Sequence, residues 1–155
     1  MPSPIEQNAV KCLGPVIVST VAIVLLAGCG DGRLSHASLV GKANAICGDY
    51  HVRVARLPLP HTVAAYEAYA QRTLTLYHRA LVHLAALRPP SADEAAYRAW
   101  LLRGRTIQRD VVRIVVAARG RQLPRLKAAL LRARLDDAAA ARRARLLGLD
   151  VCARA

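Results

Sequence analysis

The sequence predicts an all-α protein, an antiparallel up-down four-helix bundle, and three observations carry that expectation. Apolar residues recur at three- and four-residue steps in four separate stretches, and no stretch sustains period-two alternation. Proline- or glycine-bearing connections of about three to five residues part the stretches, a length that joins antiparallel neighbours. No Asn-Gly or Asp-Gly hairpin signal stands between apolar runs, and only 111–116 is rich in β-branched residues.

The first helix is expected over about 37–57, with Leu39, Ala43, Ile46, Cys47, Tyr50, Val54 and Leu57 on one face and Pro58 and Pro60 ending it. Thr62 suits the N-cap of a second helix running to about Leu87, with a stripe that includes Tyr66, Ala70, Tyr77, Leu81 and Leu84. Pro89 and Pro90 stop it. Ser91-Ala-Asp-Glu94 then fits a capping box and starts a third helix, which keeps Trp100, Gly104, Ile107, Val111, Ile114, Val115 and Ala118 together. That helix should end with Gly120 at C′. Pro124 suits the first turn of a fourth helix, which aligns Leu126, Leu130, Ala133, Ala141 and Ala144 and stops at Gly148.

Ahead of these helices, Leu13 to Ala27 forms an uncharged and mostly apolar segment of fifteen residues. It is shorter than the ~20 residues that span a bilayer and reads as the h-region of a signal peptide. The run Leu26-Ala27-Gly28-Cys29 resembles the lipobox of bacterial lipoproteins. The resemblance implies cleavage between Gly28 and Cys29, a diacylglyceryl group on the Cys29 thiol, and acyl chains such as palmitate holding the mature chain at the extracytoplasmic face of the cell membrane. It also implies three segments: signal peptide 1–28, lipidated tether 29–36 and bundle domain 37–155. The competing reading is an uncleaved membrane helix, which exports the same residues.

Two cysteines remain for the exported domain, Cys47 and Cys152. In an oxidising compartment they are expected to form a disulfide, the alternative being two buried thiols. With Cys47 midway along the first helix and Cys152 trailing the fourth, the C-terminal tail must fold back along helix one, or the helices must be offset.

The formal net charge is +13, and 20 of the 23 basic residues are arginine, a bias that GC-rich coding produces without functional demand. For an exported, tethered domain such a surface is expected to meet anionic lipid head groups or cell-wall polymers, and nucleic acid is not an expected partner. Arg98, Arg105, Arg109 and Arg113 share a quarter turn of helix three and are the candidate anion contacts; the bland alternative is the solvated back of an amphipathic helix.

No catalytic set accompanies them. His36, His51, His61, His78 and His83 lack the spacing of a metal site, so neither a metal nor a cofactor is expected. Asp137 falls among the apolar positions of helix four, where a carboxylate needs a partner, and an arginine is expected to supply it. The sequence therefore points to a non-enzymatic lipoprotein, a binding or structural component of the envelope. Its rival is a lipid-tethered carrier holding a small apolar or anionic ligand between the helices, a reading that a cavity lined by Tyr66, Tyr77 and Trp100 would favour.

Overall fold

A computed structural model describes residues 32–154. The expected signal peptide, its cleavage point at Gly28 and the lipid-accepting Cys29 lie outside the described residues. Four helices follow in order: α1 His36–Ala55, α2 Val63–Ala85, α3 Ser91–Arg119 and α4 Leu123–Leu146. There is no strand among the described residues, so the all-α four-helix bundle stands.

Each helix end has a local cause. Ser35 caps α1, its Oγ accepting the Ser38 N–H at 3.2 Å, and Thr62 caps α2 as expected, accepting the Ala65 N–H at 3.1 Å. The start of α3 differs from the expected capping box. Pro90 takes the N-cap position with no side-chain bond, and Ser91 is already helical. Competition explains the difference. Glu94 binds Arg33 and Arg98 at 2.7 Å each, and Asp93 binds His36 at 2.7 Å, so both acids face outward from the helix start that they still favour electrostatically.

Those contacts also move the boundary of the domain. The Leu34 N–H donates to the Arg88 carbonyl at 2.8 Å, and an Arg33 guanidinium N–H donates to the Pro89 carbonyl at 3.2 Å. Residues 33–36, expected as tether, are thus part of the fold, with His36 opening α1.

At the end of α3 the left-handed residue is Arg121, at φ 53°, while Gly120 keeps right-handed geometry at φ −73°. The Gln122 N–H reaches the Ala117 carbonyl at 2.9 Å and Arg121 N–H the Ala118 carbonyl at 3.0 Å, a Schellman closure built on a non-glycine residue. The end of α4 repeats the closure with the expected residue. Gly148, at φ 72°, sits at C′, and the Leu149 N–H reaches the Ala144 carbonyl at 2.9 Å.

That reversal sends the tail back along α1, the first of the two routes the sequence left open. Leu149 is fully buried, the Val151 N–H donates to Asn44 Oδ1 at 3.0 Å, and His51 Nε2 donates to the Val151 carbonyl at 3.1 Å. Cys47 and Cys152 are joined, with Cα atoms 5.1 Å apart. Closing a loop of 105 residues removes denatured-state entropy equivalent to ~4–5 kcal/mol on the chain-entropy model.

Helix α3 packs closely along both α2 and α4, whereas α1 makes its close backbone approach to α2. Buried residues accordingly fall into two clusters. One joins Leu39, Ala43 and Cys47 of α1 to Leu84, Tyr97, Trp100, Ala144 and the tail. The other consists of Ala70, Ile114, Val115, Ala117, Ala118, Leu126 and Ala129, with no residue from α1, which has already ended at Ala55.

Candidate functional site

A cavity of about 300 Å³ lies between these clusters, at the lower end of the size range of small-molecule sites. Its place follows from the helices. On α3 the lining runs from Trp100 through Gly104, Ile107 and Val111, just short of Ile114 in the second cluster. On α4 it takes Asp137 and Ala140, between Ala129 and Ala144. Tyr77, Ala80 and Leu81 come from α2, and Tyr50, His51 and Val54 from the last turns of α1. Because α1 stands away from α3 and α4, its side chains bridge a gap that backbone proximity does not close.

The walls are chiefly apolar, with the polar ends of Tyr50, His51, Tyr77, Asp137 and Arg154 among them. Burial pushes the Tyr50 hydroxyl up to about 12, with the Asp137 and Tyr69 charges adding to the rise. Burial likewise raises Tyr77, with Tyr50 and Asp137 contributing. Both therefore remain protonated phenols at neutral pH. Their rings meet edge to face, centroids 5.5 Å apart, and neither hydroxyl bonds to protein among the described residues.

Asp137 is half-buried and, among the described residues, has no ion pair and no hydrogen bond. The arginine partner expected for it is absent from that set. Burial raises its pKa, and the nearby His51 opposes the rise. Arg154, exposed, is the one guanidinium on the cavity wall. The aromatic set also differs from expectation in one member. Tyr77 and Trp100 line the cavity with Tyr50, whereas Tyr66 packs on the second cluster beside Tyr69, ring centroids 6.1 Å apart.

The fully buried carboxylate is instead Asp110, with 0% of its surface accessible. Its Oδ1 accepts from Arg113 at 2.5 Å, but the buried Oδ2 has no hydrogen-bond partner among the described residues. Asp136 of α4 faces it, and its pKa is raised by burial first and then by hydrogen bonding to Asp136, with Arg113 opposing. A proton on Oδ2, shared with the facing Asp136 carboxyl, would satisfy that atom. The sequence carried the signal: Asp110 sits three residues after Ile107 and four before Ile114, inside the apolar stripe. Asn44, which holds the tail, had no such signal, because its role depends on a reversal 104 residues away.

The arginine stripe on α3 is divided among local partners. Arg98 pairs with Glu94, Arg109 donates to Thr106 Oγ1 at 3.0 Å, and Arg113 belongs to Asp110; Arg105 is exposed. They share a face without converging on one point. Among the histidines, His36 meets Asp93, His51 holds the tail, and His78 Nδ1 lies 3.1 Å from Gln108 Nε2. No group of three or more potential metal ligands forms among the described residues, and no described helix is long and apolar enough to cross a membrane.

No family model, curated protein or solved structure matches the chain.

Proposed function

We propose that the chain is a lipid-anchored, extracytoplasmic binding protein of the cell envelope, non-enzymatic, that carries a small ligand in the cavity between its helices. The cavity carries this reading. An under-filled core is unfavourable on its own, as the cost of about 24 cal/mol per Å³ for enclosed cavities left by truncated core side chains in other proteins illustrates. Converging polar groups without protein partners give such a cavity a use that a purely structural bundle would lack. The lipobox Leu26-Ala27-Gly28-Cys29 supports the anchor, and the Cys47–Cys152 bridge fits an oxidising compartment. Anionic lipid head groups or cell-wall polymers remain the expected neighbours of its positive surface.

Two measurements test the two halves. The intact mass of membrane-extracted protein should correspond to a chain starting at Cys29, plus lipid and less two hydrogens; an unmodified chain retaining residues 1–28 overturns the anchor. Filling the cavity with Ala140→Leu should abolish binding of small aromatic probes and raise the melting temperature. Gly104→Ala should also weaken probe binding, because a Cβ there lies 2.7 Å from Leu81 Cδ2 and 3.4 Å from the Tyr77 hydroxyl, all on the cavity wall. Unchanged probe binding in both folded variants overturns the carrier reading.

A further inference from the structure

We infer that the ligand is a small organic cation, an amine on an apolar or aromatic body, with Asp137 as its counter-charge. The inference rests on the carrier reading and goes further by naming what the cavity selects.

Charge decides first. Of the side chains lining the cavity, Asp137 is the one carboxyl, and it is half-buried. The opposing guanidinium, Arg154, is exposed and screened by water, as is the rest of the +13 surface beyond ~8 Å at physiological salt. An anionic ligand would bring like charge against Asp137 in a region where burial already disfavours the carboxylate.

Polar satisfaction decides second. A wholly apolar ligand would strip water from Asp137, Tyr50 and Tyr77 and leave all three without partners, an unfavourable exchange. An ammonium has three N–H donors and no acceptor, which matches one carboxylate and two phenol oxygens. The aromatic rings of Tyr50, Tyr77 and Trp100 on the wall offer π systems that attract a cation, and the apolar residues Leu81, Ile107 and Val111 accommodate its hydrocarbon body.

The test uses the full chain in neutral phosphatidylcholine nanodiscs, with empty nanodiscs as the blank. Three probes of nearly equal shape are titrated calorimetrically: 2-phenylethylamine, 2-phenylethanol and 3-phenylpropionate. The amine should bind at least tenfold more tightly than the alcohol, and the acid most weakly. Asp137→Asn should erase the advantage of the amine over the alcohol. If the alcohol or the acid binds as well as the amine, or the advantage survives Asp137→Asn, the cation inference is wrong while the cavity remains a binding site. If none of the three binds, both readings fail. The wild-type series stands by itself should the variant not fold.

Discussion

The two ends of the bundle keep their helices together by different means. At one end four helices, a folded-back tail and a disulfide enclose large side chains, with Tyr97 donating to the Leu84 carbonyl at 2.8 Å. At the other end α1 is missing, and α2, α3 and α4 approach through alanines: Ala70, Ala117, Ala118 and Ala129. Small residues permit close backbones and leave no volume to spare. The cavity lies where the first arrangement gives way to the second, which teaches that its volume arises from helix lengths and offsets rather than from any residue type.

Breaking the crosslinked end should have the largest effect. Replacing Cys47 and Cys152 together by alanine should lower the unfolding free energy by ~4–5 kcal/mol. Hydrogen exchange should speed up first at residues 149–153, and the alanine end should respond least. Uniform acceleration along all four helices would mean that the ends are not distinct.

One kind of substitution should change sign between the regions. Ala118→Leu, at a site with 2% exposure, forces a tight interface apart and should cost about 1–3 kcal/mol. Ala140→Leu, facing the cavity, should stabilise the protein. Equal losses at both positions in urea titrations would refute the contrast.

A smaller effect is expected from the carboxyl pair. Asp110 is faced by Arg113 from its own helix and by Asp136 from α4, and its folded pKa is raised. A raised carboxyl favours folding while protonated. That contribution is present below the unfolded value near ~3.9 and is lost as pH rises toward the folded value. Asp110→Asn keeps an acceptor for Arg113 and offers a donor to Asp136 at every pH. It should therefore gain about 1 kcal/mol at pH 7 and flatten the decline from pH 4 to 7. A variant less stable than wild type at pH 7 would sink the shared-proton account. The smallest effect should come from Arg121→Gly, which relieves a left-handed residue and should stabilise the protein by about 0.5–1 kcal/mol in thermal melts.

The sequence made the four helices legible because burial of one face imposes its period directly, as Leu39, Ala43 and Cys47 show. The Cys47–Cys152 bridge was legible through compartment and parity. Features set by competition were harder to read. Ser91 and Glu94 have the spacing of a capping box, yet Arg33, 61 positions before Glu94, takes the glutamate. Gly120 looked like the left-handed residue, and the closure fell one residue later, on Arg121. In the candidate site, Tyr77, Trp100 and Asp137 were all visible as stripe residues. Their meeting around empty volume, with Asp137 lacking an arginine, depends on how far α1 stands from α3 and α4, a distance that no local pattern encodes.

The Cys47–Cys152 bridge also sets how this domain bears load. A pull on residue 33 would first test the Leu34–Arg88 and Arg33–Glu94 contacts and then peel α1 from its N-terminal end. Unravelling stops at Cys47, where tension passes straight through sulfur to Cys152 and bypasses the 105-residue separation between them. Stretched between residues 33 and 154, the oxidised chain can span only roughly 60 Å at ~3.3–3.6 Å per residue, and once α1 has peeled to Cys47 the force bypasses the cavity-bearing helices.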